Sequence, residues 1–319
     1  MKSSSIHHLN SFIIIASCIL AFIVPFEMFL FAYGVLGPLH YLTEISWLRN
    51  KNFYTKGKYD YIYLLVACCI LVYLNFKATK DYGVMADVLA FSFLASVALV
   101  FVKDWVYRVI VISLAAIVVG FLNDTPHYFT WAAIFLPTII HVYLFTALFM
   151  FYGILKERSI PGLISFIVLL ICTSLFFFIQ PESLNYTVSG YSQKSYYIFA
   201  ELNSRLIQLF NLGELTNVKE VFTTNAGFVI MRFIAFAYVY HYLNWFSKTS
   251  VIKWHQVPKK RLIITLIVWV ISVGLYIFDY NVGLKVLFFL SFLHVFLEFP
   301  LNIVSFNGIG KELSAMLKQ

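Results

Sequence analysis

Long runs of apolar residues separated by short polar connections make up most of this chain. A helix of about 20 apolar residues is long enough to cross the hydrocarbon core of a bilayer. Nine apolar stretches approach or exceed that length: 11–48, 60–77, 84–102, 105–122, 128–154, 160–180, 224–247, 260–279 and 283–305. The pattern predicts an all-α fold, a polytopic transmembrane helical bundle of about nine spans that forms a single integral-membrane domain over residues 1–319.

The first of these stretches is too long for one simple span. It contains Pro25 and the sequence Gly37-Pro38, and proline removes a backbone donor and clashes with the preceding helical turn. We therefore expect a helix from about Ser11, followed by a broken or re-entrant segment near Pro38 that carries His40 and Glu44.

Only one connection is long, and it covers residues 181–223. Within it, the apolar residues between Tyr196 and Leu212 recur at helical spacing. This spacing predicts an amphipathic helix that lies on the membrane surface, within a long extracytoplasmic loop.

Composition agrees with a membrane protein, since 61% of the residues are hydrophobic and only 12% are charged, against about 25% charged in soluble domains. The net charge of +8 does not indicate nucleic-acid binding, because the basic residues are spread over short connections. Fifteen of them fall on one side of the predicted bundle and seven on the other. The positive-inside rule then predicts the N-terminus outside and the C-terminus in the cytoplasm, as an odd number of spans requires, with a bacterial inner membrane as the location.

Four histidines lie inside the apolar stretches: His40, His141, His241 and His294. All four fall on odd-numbered spans, roughly 9–20 Å from the predicted cytoplasmic end at ~1.5 Å per residue. The four histidines, which come from distant parts of the chain, are thus predicted at a similar depth in the membrane, as a common site requires. A lone intramembrane histidine can also form a hydrogen bond to a neighbouring helix, so a structural role for each one stays open.

Two glutamates, Glu44 and Glu298, each follow a histidine by four residues and share its helix face. Imidazole is a suitable ligand for iron, zinc and copper, and a metal also offsets the cost of polar groups in lipid. We predict the four histidines as metal ligands, and the two glutamates as catalytic groups that orient ligands or move protons. Tyr41, Tyr240 and Asn244 are predicted to line a substrate pocket; the aromatic residues near His241 can equally form an interfacial belt.

The stretch Gly37-Pro38-Leu39-His40-Tyr41-Leu42-Thr43-Glu44 resembles an early motif of the bacterial Brp/Blh family of membrane β-carotene 15,15′-dioxygenases, which has a glycine, then Pro-His, and an acidic residue one turn later. The resemblance implies a short, all-helical membrane enzyme that holds one non-haem iron through four histidines. Of the four candidates, only His40 is matched by the motif. Tyr41 stands where the family has glycine, Glu44 where it has aspartate, and the family's pair of histidines one turn apart is absent.

The expected function is that of an integral-membrane, metal-dependent oxygenase that cleaves or oxidises a lipid-soluble polyene or lipid, in the manner of carotenoid cleavage. The expected cofactor is Fe(II), with zinc or a di-iron centre as the alternatives. The expected partners are a lipid-soluble small molecule and membrane lipids, and no nucleic acid. Two other functions fit the same residues: a dinuclear-metal lipid hydroxylase or desaturase, and a proton-coupled transporter that uses buried histidine and glutamate.

Overall fold

The chain folds into helices joined by short connections. The computed structural model describes residues 3–79, 81–179, 186–248 and 256–318, and over these ranges it contains no β-strand. The predicted all-α fold is confirmed.

Thirteen α-helices are present in the described ranges. They are α1 (Ser3–Ile23), α2 (Pro25–Phe31), α3 (Gly37–Asn50), α4 (Tyr61–Phe76), α5 (Tyr82–Phe101), α6 (Trp105–Asn123), α7 (Thr146–Glu157), α8 (Ile160–Phe178), α9 (Gly190–Tyr196), α10 (Ala200–Leu209), α11 (Asn225–Ser247), α12 (Lys259–Phe278) and α13 (Tyr280–Met316). Two π-helical segments, Ala32–Leu36 and Thr130–Phe145, lead directly into α3 and α7, and three short 3₁₀ turns occupy Asn52–Tyr54, Tyr197–Phe199 and Val218–Phe222.

Eight helices in the described part of the chain are long and apolar enough to cross a membrane. They are α1, α5, α6, the continuous segment Thr130–Glu157, α8, α11, α12 and α13. The predicted span at 60–77 corresponds to α4, which is apolar but has only 16 residues. These helices indicate an integral membrane protein and confirm the predicted polytopic helical bundle.

The first apolar stretch is interrupted at two places. The chain leaves helical geometry at Val24, where φ is −138° and ψ is 62°, and Pro25 then starts α2. Proline suits a helix start because its missing N–H would have no partner there. The second interruption is the π-helical segment Ala32–Leu36, which lies directly before Gly37 and Pro38.

The chain forms two compact units. The first comprises Met1–His40 and Glu157–Leu284, and the second comprises Tyr41–Lys156 and Lys285–Gln319. In the first unit α11 is the central helix, since most of its residues are buried and α1, α2, α8 and α10 all pack against it. In the second unit α5 packs against α4, α6 and the Thr130–Phe145 segment, around a core that includes Leu71, Phe296 and Phe299.

Helices α1 and α8 run parallel in the first unit. At their beginnings, His7 Nε2 lies 3.2 Å from Glu157 Oε2, and towards their ends the rings of Phe22 and Phe176 are 4.8 Å apart. The start of α1 and the connection before α8 are therefore at the same end of this unit. The sequence predicts opposite sides of a membrane for them because it counts 11–48 as one span, whereas the structure has a turn at Val24. The orientation of the termini in a membrane stays a prediction.

The predicted amphipathic helix corresponds mainly to α10. Its apolar residues Leu202, Leu206 and Ile207 are buried, and α10 packs against α11. Ile198 and Phe210, at either end of the predicted helix, are exposed. Part of the apolar face is thus covered by protein, while Leu209 is exposed like the two end residues. The position of this helix on a membrane surface stays a prediction.

Candidate metal centre

His40 and His241 form a buried pair in the first unit. Their side chains are held by α3 and α11, and the two Nε2 atoms are 3.0 Å apart. The exposed fraction is 1% for His40 and 7% for His241. The ring of His40 is also packed against Tyr242 and Trp245, with ring centres 5.1 and 5.6 Å away. This aromatic enclosure keeps the pair away from water.

Glycine at position 37 makes this packing possible. A Cβ atom on Gly37 would lie 3.2 Å from the hydroxyl oxygen of Tyr242, so a larger residue would push this tyrosine away from α3. Tyr242 in turn packs against His40, which lies about one helical turn after Gly37. The Gly37-Pro38-Leu39-His40 motif thus has a local structural reason: the glycine admits the aromatic neighbour of the histidine.

A second buried pair, His141 and His294, lies in the second unit. Their Nε2 atoms are 3.1 Å apart, and their exposed fractions are 2% and 6%. His141 lies within the π-helical segment Thr130–Phe145 and His294 lies on α13. The ring of Tyr41 stacks on that of His294 at 5.8 Å. Because π-helical geometry is rare and often marks functional sites, its presence at His141 and just before His40 supports a role beyond packing.

Glu298 contacts the second ring nitrogen of His141. The Oε2 atom lies 3.1 Å from Nδ1, and both side chains are 2% exposed. A carboxylate beside Nδ1 favours the proton on that nitrogen and leaves the lone pair of Nε2 available to a metal. The sequence spacing paired Glu298 with His294; the contact with His141 joins two distant segments of the chain, and helical spacing cannot predict such a contact.

Glu44 is the second buried carboxylate of this region, with 3% of its surface exposed. It lies close enough to Glu298 for the two carboxylates to interact electrostatically. Buried acidic side chains inside membrane helices are rare and commonly mark a functional site. The arrangement can therefore contribute to cation binding.

Three histidines meet the distance requirement for a common metal ion. Ligand nitrogens of His40, His241 and His294 all lie within 4.8 Å of one another, and all three side chains are buried. This buried three-histidine group can bind a metal ion. An imidazole donor set suits iron, zinc or copper and does not single out one of them.

The predicted pocket residues Tyr41, Tyr240 and Asn244 are all buried, and their role as a substrate pocket stays a prediction. Tyr240 stacks on Phe236. Sequence reasoning missed Tyr242 as a neighbour of His40. The signal that could have found it was the run of aromatic residues around His241, in which only the three-dimensional packing selects the tyrosine that faces the site.

No protein-family model, no curated protein and no solved structure matches this chain. The residues and their contacts therefore carry the argument for its chemistry.

Proposed function

We propose that this protein is an integral-membrane, metal-dependent enzyme with one metal ion held by His40, His141, His241 and His294. The observation that carries the proposal is the buried three-histidine group, His40, His241 and His294, whose ligand atoms lie within 4.8 Å of one another. His141 joins it through the 3.1 Å contact with His294. Polar side chains are costly in the interior of a membrane protein and usually mark a function.

The metal proposed is Fe(II), and the reaction class is oxygenation or oxidative cleavage. The support is the resemblance of Gly37 to Glu44 to the Brp/Blh motif, together with a set of imidazole donors that suits iron. When bound, iron supplies the redox chemistry that a reaction with oxygen needs, which amino-acid side chains alone do not provide.

Glu298 and Glu44 have separate proposed roles. Glu298 orients His141 through Nδ1, at 3.1 Å, and so keeps Nε2 directed towards the metal. Glu44 is buried close to Glu298, and we assign it to proton transfer or storage. The aromatic packing around His40, from Tyr242 and Trp245, excludes water from the pair.

The proposed substrate is a lipid-soluble polyene or other lipid. The support is that eight helices of the described chain are long and apolar enough to cross a membrane, where a membrane-dissolved molecule is available. The proposed location is a bacterial inner membrane.

The test is the metal content of the detergent-purified protein, compared with four single variants: His40→Ala, His141→Ala, His241→Ala and His294→Ala. We expect about one iron per chain in the wild type and a loss of metal in each variant. His8→Ala is the matched control, because His8 is exposed at the start of α1 and should leave the metal content unchanged. A wild-type protein that stays metal-free after reconstitution with Fe(II), Zn(II) and Cu(II) would refute the proposal and direct attention to proton flux in vesicles.

A second candidate function is favoured by the proximity of Glu44 and Glu298. Two buried carboxylates beside buried histidines also suit a dinuclear centre, as in a lipid hydroxylase or desaturase. That reading predicts about two metal ions per chain and the loss of metal in Glu44→Ala and Glu298→Ala. The single-metal proposal predicts that Glu44→Ala retains its ion.

A further inference from the structure

A crevice of about 290 Å³ opens on the first unit, apart from the histidines. Its walls come from α2, the π-helical segment Ala32–Leu36, the start of α9, and the facing ends of α12 and α13. Pockets of about 300 Å³ and larger are typical of small-molecule sites. The crevice is therefore large enough to take part of a ligand.

One end of the crevice is polar. Glu27 lines it together with Ser189 and Ser192. The carboxylate of Glu27 accepts a hydrogen bond from the Tyr186 hydroxyl at 2.5 Å and another from the Ser192 hydroxyl at 2.8 Å. These contacts fix the carboxylate but use one acceptor position on each oxygen, and a carboxylate oxygen offers about two. The group can thus accept a further hydrogen bond from a ligand.

The other end of the crevice is apolar and open at the side. Phe31, Val35, Val273 and Ile277 line it. Phe31 is 60% exposed and Ile277 is 79% exposed, and in a membrane such side chains face lipid tails. A polar end followed by an apolar, lipid-facing end is complementary to an amphiphilic molecule.

Two glycines shape the floor of the crevice around Tyr276. A Cβ atom on Gly34 would lie 3.3 Å from Cγ of Tyr276, and one on Gly283 would lie 2.6 Å from its Cδ1. The ring is therefore held closely between two helix backbones. Its neighbour Tyr280 is fixed by a hydrogen bond of 3.1 Å from its hydroxyl to the carbonyl of Leu30. Rigid aromatic walls of this kind favour a defined ligand orientation.

The crevice and His40 lie along one helical run of the first unit. Glu27 and Val35 are eight residues apart, about 12 Å at 1.5 Å per residue, and His40 follows Val35 by about 8 Å. The backbone at Val35 is held in place by a hydrogen bond of 2.8 Å from Trp269 Nε1 to its carbonyl. The tail of a ligand whose head group lies at Glu27 therefore runs along the crevice in the direction of His40.

We propose that this crevice binds an amphiphilic lipid whose head group donates a hydrogen bond and carries no negative charge. Glu27 accepts the hydrogen bond from the head group, and the tail lies along Phe31, Val35 and Ile277. An anionic head group is excluded by repulsion from the carboxylate. The role of this lipid as the substrate rests on the proposed function. Its binding in the crevice is independent of that function.

The experiment measures quenching of Trp269 fluorescence by two brominated probes with the same twelve-carbon chain, 12-bromododecan-1-ol and 12-bromododecane-1-sulfonate. For the wild-type protein in detergent, we expect saturable quenching by the alcohol, competition by unbrominated dodecan-1-ol, and at least 10-fold weaker binding of the sulfonate. Trp269→Phe identifies the signal from this tryptophan, since the chain contains six.

Two variants test the site. Glu27→Gln keeps an accepting oxygen for one of the Tyr186 and Ser192 hydroxyls and offers the other an amide N–H, which that hydroxyl oxygen can accept. The fold is therefore preserved, and we expect the alcohol-to-sulfonate preference to fall to within about 2-fold. Gly34→Leu fills the floor and should abolish saturable quenching by both probes. Equal, non-saturable quenching by the two probes in the wild type and in both variants would overturn the proposal, because it would show contact with bulk amphiphile only.

Failure of this inference and failure of the metal proposal are distinguishable. Glu27→Gln and Gly34→Leu should retain the wild-type metal content, and His241→Ala should retain saturable alcohol binding. A metal-free protein that still prefers the alcohol would support the crevice and refute the metal site. A metal-loaded protein with no preference between the probes would support the metal site and refute the crevice.

Discussion

At the scale of single residues, the contact between Glu298 and His141 makes the most specific prediction. Glu298→Gln keeps the size of the side chain but replaces the carboxylate that faces Nδ1 at 3.1 Å. We expect metal affinity to fall by about 10–100-fold, the usual effect of losing a group that orients a ligating histidine. The measurement is competition with a metal chelator of known affinity.

The control for this variant is Glu201→Gln. Glu201 makes the same kind of contact, an ion pair with Arg205 at 2.8 Å, but on an exposed part of α10. This variant should bind metal as the wild type does. An unchanged affinity in Glu298→Gln would mean that the carboxylate does not orient the ligand.

Lys248, directly after α11, gives a pH-dependent prediction. Burial lowers the pKa of this amine from its ordinary value of 10.5 to about 8, so the folded state releases the proton before the unfolded state does. The buried charge therefore destabilises the folded state below pH 8. This destabilisation disappears as the pH rises from 8 to 10.5. We expect Lys248→Met to raise Tm by about 2–4 °C at pH 7 and to lose this advantage by pH 10.5. A Tm difference that does not change with pH would exclude charge burial as its cause.

The sequence predicts that the four histidines are buried, but it does not predict which residues contact them. His40, His141, His241 and His294 stand out because imidazoles are conspicuous in apolar helices, and all four are buried. Helical spacing can pair residues only along one helix, whereas Glu298 meets a histidine from another segment. Contacts between distant segments depend on how helices pack, which the spacing of residues does not contain.

At the scale of elements, the packing of α12 against the start of α13 depends on Gly283. A Cβ atom there would lie 2.6 Å from the ring of Tyr276, so Gly283→Ala must displace this ring. Overpacking of this kind costs about 1–3 kcal/mol, and we expect a lower Tm. Gly274→Ala on α12 is the matched control, because its Cβ would meet nothing within 4 Å; it should leave Tm unchanged or raise it slightly.

Gly283→Ala should also weaken binding of 12-bromododecan-1-ol in the crevice, since Tyr276 forms part of its wall. A variant with an unchanged Tm and unchanged binding would show that the ring moves aside at no cost.

Most helices are predictable from apolar length, but their ends and breaks are less so. The predicted spans at 84–102 and 105–122 agree closely with α5 and α6, because charged residues and aspartate caps mark their ends. The turn at Val24 has no such marker: proline is compatible with both a kink inside a helix and the first residue of a new one. The structure selects the second.

At the scale of the whole molecule, the parallel packing of α1 and α8 makes a prediction about sidedness. His7 contacts Glu157, so residue 8 and residue 156 should be accessible from the same side of the membrane. Positive charge at Lys156 and Arg158 favours the cytoplasm for that side. We expect a membrane-impermeant thiol reagent to leave His8→Cys and Lys156→Cys unlabelled in intact cells, in a background without the four native cysteines.

Glu214→Cys, in the long connection after α10, serves as the control that should be labelled from outside. Labelling of His8→Cys together with Glu214→Cys would restore the topology predicted from the sequence. The global class of the protein is thus predictable from apolar content, whereas any prediction of the sidedness of its N-terminus depends on the turn at Val24.

The π-helical segment Ala32–Leu36 has a consequence for rotational phase. Each residue of an α-helix turns the chain by about 100°, and a π-helical turn contains more residues than an α-helical one. Deleting one residue within this segment would compensate for the wider turn and leave the direction of His40 nearly unchanged. Converting the segment to a regular α-helix at its full length would instead rotate His40 by about 100° relative to Glu27 and Phe31. The crevice residues and His40 could then no longer keep their present contacts at the same time. The π-helical segment thus sets the angle between two sites on one helical run.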